Sequence, residues 1–153
     1  MPADNASLPD STPTVAKRSR RKSARPSEIV EAALQVFVEK GFAATRVEEV
    51  ARYAGVAKAT VFVYFPTKEA LFKAVVRAKI VDPLAGFKDH AAAHTGSTRD
   101  LIMRALHEWW TRIGGTKAGG ISKLMMQEAK RFPELANFYQ SEVLSPATEL
   151  MAE

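Results

Sequence analysis

The stretch Thr45–Lys68, TRVEEVARYAGVAKATVFVYFPTK, constrains the fold more than any other part of this 153-residue chain. Val47, Val50, Ala51 and Ala54 fall at i, i+3, i+4 and i+7, the spacing that lines one face of a short helix. Thr45 is the expected N-cap: its hydroxyl takes a backbone N–H while Glu48 reaches back to the cap, as in a T-x-x-E capping box. Gly55 follows the last inward alanine and predicts a tight turn, because glycine alone reaches positive φ without strain. A second short helix is expected from Ala57, with Val56 and Val61 inward and Lys58, Ala59 and Thr60 outward; Pro66 ends it and Lys68 lies beyond the stop. Two short helices crossed at a glycine turn, the second small and polar on its open side, have the sequence form of a helix-turn-helix. An ordinary helical hairpin in a core satisfies the same pattern.

The flanks supply the rest of a small head. A helix is expected over Pro26–Lys40, with proline in its first turn and Ile29, Ala32, Ala33, Val36 and Phe37 as the buried stripe; Gly41 closes it and Phe42 plugs the small core beneath. Another helix starts near Thr67 and shows Leu71, Ala74, Val75 and Ala78 on one face with Phe72 and Val76 beside them, so it must touch a second body of protein. The run AALQVFVEKGFAATRVEEVARYAGVAKATVFVYFPTKEALF, within about Ser27–Ile80, resembles the DNA-binding head of the TetR family of bacterial repressors.

That resemblance implies roles for single residues. Thr45 would cap the first helix of the motif and touch a phosphate, with Arg46 adding a charged contact. Lys58 would meet guanine O6 and N7 or a phosphate, Ala59 a thymine methyl, and Thr60 a base or phosphate. Lys68 would grip phosphate at a helix N-terminus. Phe62 stands where the family usually has tyrosine, which removes a phosphate hydrogen bond and leaves ring packing; Phe62 and Phe65 are expected in the core, while Tyr64 keeps a hydroxyl for the DNA backbone. Ala57 replaces a frequent serine cap, and Val63 a frequent polar or aromatic residue.

Beyond the head, Val81–Ser97 reads as a break with a short helix over Pro83–Ala93, because Asp82-Pro83, Gly86 and Gly96 interrupt it. A helix begins at Ser97 or Thr98 under an S-x-x-D cap, with Ile102, Ala105, Leu106, Trp109 and Ile113 as its stripe up to Gly114-Gly115. Gly119-Gly120 opens the next, with Ile121, Leu124 and Met125 inward. Arg131-Phe132-Pro133 precedes a last helix carrying Leu135, Phe138, Tyr139, Val143, Ala147, Leu150 and Met151, which Pro146 should kink. The class is therefore all-α: a three-helix head over 26–66, then a connecting helix and regulatory bundle over 67–153. Met103, Trp109, Trp110, Met125 and Phe138 belong to an aromatic and methionine-rich set that either fills the bundle core or lines an apolar pocket for a small effector. The TetR-like pattern also leads one to expect two further long dimerising helices after Glu153. Without them the chain is a fragment or shortened product, or it dimerises in an unusual way through its last two helices.

Charge and composition narrow the function. Lys and Arg number 22 against 17 Asp and Glu, a net charge of +5, and the first 25 residues hold six basic and two acidic of these. Residues 1–25, rich in Pro, Ser, Thr and Ala, are expected to be disordered, and KRSRRKSAR at their end reads either as a basic arm along phosphates or as a solvated leader. The absence of cysteine excludes disulfides, Cys-based zinc sites and thiol catalysis, and fits a reducing cytoplasm. No apolar run approaches the ~18 residues of a membrane span, and the N-terminus lacks a signal-peptide core. His90 and His94, at i and i+4, and His107 lack a carboxylate or cysteine to complete a metal set. No G-x-S-x-G, P-loop or dinucleotide turn is present, so neither catalysis nor a cofactor is expected. The expected function is a cytoplasmic, ligand-responsive repressor binding a palindromic operator on double-stranded DNA as a homodimer. The rivals are a truncated, weakly binding regulator acting as a protein-interaction module and, more distantly, a small helical enzyme.

Overall fold

The computed structural model describes residues 26–152, and the basic N-terminal segment discussed above lies outside them. Among the described residues every regular element is helical. The order is α1 (Pro26–Lys40), α2 (Val47–Ala54), α3 (Lys58–Tyr64), α4 (Lys68–Val76), α5 (Asp82–Ala92), α6 (Thr98–Trp109), α7 (Gly119–Glu128), α8 (Pro133–Tyr139) and α9 (Ser145–Ala152). Single π turns follow α4 (Arg77–Val81), α6 (Trp110–Gly114) and α8 (Gln140–Leu144).

α1 takes the expected bounds and buries Ile29, Ala33, Val36 and Phe37 completely. Gly41, at φ 82°, ends it and turns the chain so that Phe42 enters the core. α2 buries Val47, Val50 and Ala51 against α1 and closes at Gly55, φ 69° and ψ 29°. There the Val56 N–H returns to the Ala51 carbonyl at 3.0 Å, the long-range bond of a Schellman turn. α3 then crosses α2 with Val61 fully buried beneath it.

Four phenylalanines weld this head to the rest. Phe37, Phe42 and Phe72 form a triangle with ring centroids 5.2 to 5.8 Å apart, two of its three pairs edge-to-face. Phe132, from the loop before α8, sets its edge against Phe42 at 4.8 Å. Each such pair adds about 0.5–1.5 kcal/mol beyond the area it buries. The apolar core is accordingly continuous from Ile29 in the head to Val143 beyond α8.

Two expectations change here. The break near Asp82-Pro83 is absent: α4 runs through a π turn directly into α5. A helical proline removes one hydrogen bond and pushes its ring at the carbonyl four residues back. For Pro83 and Pro146 alike, that residue (Lys79 and Glu142) lies inside a π turn, whose wider i→i−5 bonding, Asp82 N–H to Arg77 O and Ser145 N–H to Gln140 O, makes the room. Ser97 caps α6 as expected, its hydroxyl oxygen accepting the Asp100 N–H at 3.2 Å. The α6 stripe, however, is not buried: Ile102, Leu106 and Trp109 stand exposed and only Ile113 enters the core. A helical period reports an apolar face without saying that another element covers it, and among the described residues α6 packs chiefly on α5.

Replacing Phe42 with alanine removes the ring on which all three partner rings lean. The Phe42→Ala protein is expected to lose ~3–5 kcal/mol of stability, read from urea unfolding. A loss under 1 kcal/mol would show that the ring cluster does not hold the head to the body.

Candidate nucleic-acid interface

α3 is held by its buried Val61 and by the partly buried Val56 and Phe65 at its ends, which pack against the core, so its opposite side faces solvent. Lys58, Ala59, Phe62, Val63 and Tyr64 are exposed and Thr60 is half-buried. Arg46 lies beside them as the N-cap of α2, exposed and in extended conformation, φ −110° and ψ 139°. The structure thus brings five of the seven expected DNA contacts, Arg46, Lys58, Ala59, Thr60 and Tyr64, to the open side, and sets Phe62 there with them. Ala57 caps α3 without a side-chain bond, as its lack of a hydroxyl requires.

Phe62 corrects one expectation. It is 37% exposed, on the open side with Lys58, whose Nζ stands 5.7 Å from its ring centroid. The core reading holds for Phe65 alone, which packs against the apolar cluster. Position 62 follows the inward Val61 by one residue, and a 100° helical step carries it away from the core.

Thr45 and Lys68 are corrected more sharply. Thr45 is 2% exposed, and its hydroxyl donates to the Gly41 carbonyl at 2.7 Å instead of accepting an N–H of α2. No side chain caps α2; Arg46 occupies the N-cap and its carbonyl takes the Glu49 N–H at 3.0 Å. Thr45 therefore fastens the end of α1 to the start of α2 and offers no hydroxyl to a phosphate. Lys68 turns inward. Its ammonium donates to the carbonyls of Phe42, Ala43 and Thr45 at 2.9, 3.3 and 3.1 Å and lies 4.6 Å from the Phe42 ring centroid. Three donors meet three loop carbonyls, so the charge that looked free for phosphate is spent on the α1–α2 loop.

Two carboxylates on α2 went unassigned in this role. Glu49 pairs with Lys40 at the end of α1, and Glu48 pairs across the open surface with Lys58. The lysine hydrogen bonds hold both carboxyls below their usual value. The capping-box pattern masked Glu48, and nothing in a ten-residue separation announces an ion pair formed through a turn.

The expected effector residues do not converge. Trp110 is 61% exposed, Met103 and Trp109 are exposed on α6, and Met125 is buried in the core. Phe138 lies under the cations of Lys73 and Arg77, at 5.5 and 5.0 Å, and these also pair with Glu134 and Glu142. An open cleft of about 440 Å³ lies instead between α5 and α6, lined by Phe87, His90, His94, Asp100, Arg104 and Glu108 among others. Among the described residues no group of three or more His, Asp or Glu is placed to hold a metal ion, and no helix is long and apolar enough to cross a membrane.

A buried three-helix core carrying an open second helix across a glycine turn defines a helix-turn-helix protein. The sequence model of bacterial regulatory proteins of the tetR family matches residues 29–75, which hold all but the first three residues of α1, the whole of α2 and α3, and most of α4. The HTH-type transcriptional regulator RutR of Escherichia coli K12 is 33% identical over 144 residues, covering 92% of this chain and 58% of RutR. Among solved structures, a TetR-family transcriptional regulator from Mesorhizobium loti MAFF303099 superposes with a TM-score of 0.69 at 24% identity, covering 87% of this chain and 65% of that one, a likeness of fold. The flavonoid-responsive regulator FrrA gives a TM-score of 0.61 at 29% identity, over 83% and 64% of the two chains. Residues 29–75 are thus a tetR-family head, and most of the chain is similar to regulators of that family. The chain spans about three-fifths of the length of the RutR sequences it matches.

If Lys68 serves the loop and not the duplex, Lys68→Met should cost ~1–3 kcal/mol in unfolding free energy through three orphaned carbonyls. The salt slope of DNA binding should stay unchanged under conditions where the variant is folded. Unaltered stability with a slope reduced by about one ion would restore the phosphate grip.

Proposed function

We propose that this protein is a DNA-binding transcriptional regulator, a cytoplasmic, ligand-responsive repressor that binds a palindromic operator as a homodimer. The observation that carries the DNA-binding part is the open side of α3, where Lys58, Ala59 and Thr60 stand outward over a fixed core. An α-helix presented this way fits the major groove, with its first residues nearest the base edges. Lys58 offers an ammonium to guanine O6 and N7, Ala59 a methyl group to thymine, and Thr60 a hydroxyl to base or phosphate. Arg46 and the Tyr64 hydroxyl flank these and address the phosphates. Val63, 78% exposed, adds an apolar contact that the sequence pattern alone did not assign.

Regulation is read from the join between head and body. Movement of α8 reaches the head through Phe132 on Phe42, and movement of α4 reaches it through Phe72 on the same ring. The likeness to a flavonoid-responsive regulator supports a ligand-sensing role for the body, and the cleft between α5 and α6 offers it a place to act. In a dimer, two heads would meet half-sites about one helical turn apart.

Selection of bound duplexes from a random pool, followed by salt titrations, tests the reading. Arg46→Ala should weaken binding to all duplexes alike and lower the salt slope by about one. Lys58→Ala or Thr60→Ala should cost ~1–3 kcal/mol on the selected sequence and relax discrimination there. Binding that ignores all three substitutions would remove α3 from the interface.

A further inference from the structure

Glu48 is a carboxylate placed where a DNA-binding surface should repel one. It lies in the first turn of α2, exposed, and its Oε1 pairs with Nζ of Lys58 at the start of α3. The same ammonium lies near the face of the Phe62 ring, 5.7 Å from its centroid. Carboxylate and ring together fix the direction of the only cation that α3 itself carries. Neither side chain is needed for the core, since both are more than half exposed.

Two consequences follow for a duplex. With Glu48 attached, Lys58 has little net charge to offer a phosphate, so sequence-independent attraction at this point is suppressed. Both partners, however, find a match on one kind of base pair. In the major groove a G·C pair presents the guanine N7 and O6 acceptors and, next to O6, the cytosine N4 amino donor. An ammonium beside a carboxylate is the complement of that acceptor–donor edge: Lys58 donates to the guanine and Glu48 accepts from the cytosine. An exposed ion pair is weak enough in water to be opened or shared by such a partner, and charge-assisted hydrogen bonds on both sides replace it.

We propose that Glu48 is a specificity-determining residue, which restrains Lys58 from indiscriminate phosphate binding and reads, together with it, a G·C base pair in each half-site. This rests on the DNA-binding reading of α3 and adds to it a residue of α2 and a base-pair identity.

The test compares the full chain with Glu48→Gln, Lys58→Met and the double variant, on the duplex selected by the unaltered protein and on random duplexes across a salt series. Glu48→Gln should tighten random-duplex binding about three- to tenfold and steepen its salt slope by about one, as the freed lysine meets phosphate. It should also reduce the preference for G·C at one position of each half-site by about tenfold. Lys58→Met should weaken the same preference, and in that background Glu48→Gln should remove what remains of it without changing the salt slope. The proposal is overturned if Glu48→Gln leaves slope and preference unchanged in the parent chain, if its steeper slope persists without Lys58, or if the position prefers A·T. Unfolding transitions of the variants should match the parent, since both residues are exposed; an isolated loss of stability would assign Glu48 to the fold instead. Failure of the unaltered chain to bind any duplex would sink the DNA-binding reading itself, an outcome distinct from a silent Glu48 in a chain that binds.

Discussion

The Phe42 ring and the ammonium above it carry the architecture. Phe42 lies in a loop, where backbone carbonyls have no helical partners, and a buried loop with unpaired carbonyls is costly. Lys68 removes that cost by donating to three of them while stacking its charge on the Phe42 ring. Thr45 adds a fourth tie, from the end of the loop back to Gly41. The segment between α1 and α2 is therefore held as firmly as a helix, and α2 and α3, which rest on it, present their outer side at a fixed angle. The base-reading role proposed for α3 needs that rigidity, because base contacts fail over displacements of about an ångström.

The same ring makes head and body mechanically continuous. Phe37 and Phe72 approach it from α1 and α4, and Phe132 from the loop before α8. Lys73 and Arg77 of the α4 segment lie against Phe138 and pair with carboxylates on α8 and the π turn after it. Lys79 reaches back to Glu31 on α1. The π turn at Arg77–Val81 lets α4 continue into α5 despite Pro83, so one continuous helical segment runs from the head to the cleft between α5 and α6. Close-packed aromatic interiors shift between discrete arrangements and resist gradual deformation, so a displacement of the body would reach the head as a whole.

What the sequence discloses here follows the range of the forces involved. α1, the Gly55 turn, the Ser97 cap and the start of α7 at Gly119 are set by residues within a turn of one another, and all lie where local reasoning places them. The outward set of α3 is equally legible, since Val61 alone must face in. Lys68 departs from expectation because its partners are chosen by the tertiary approach of α4 to the loop, 23 to 26 residues away in sequence; Thr45 departs because the turn after α1 brings the Gly41 carbonyl, four residues back, to its hydroxyl. The exposed stripe on α6 was misread for a related reason: periodicity shows which residues share a side, while burial depends on a neighbour elsewhere. Pro83 looked like a stop because the π turn that accommodates it has no signature in residue type. Glu48 was hidden by a motif that it matches in pattern and does not form in space.

The central claim is that a pre-formed head, locked at Phe42, meets DNA with the outer side of α3 while the lock stays closed. Mapping backbone amide chemical shifts as a duplex carrying the selected sequence is added addresses it most directly. The account predicts large shifts at Arg46, Glu48 and residues 57–64, with Phe42, Ala43 and the Lys68 region nearly unmoved. Shifts centred on the exposed α6 stripe, or a Phe42–Thr45 loop that changes as much as α3 does, would contradict it.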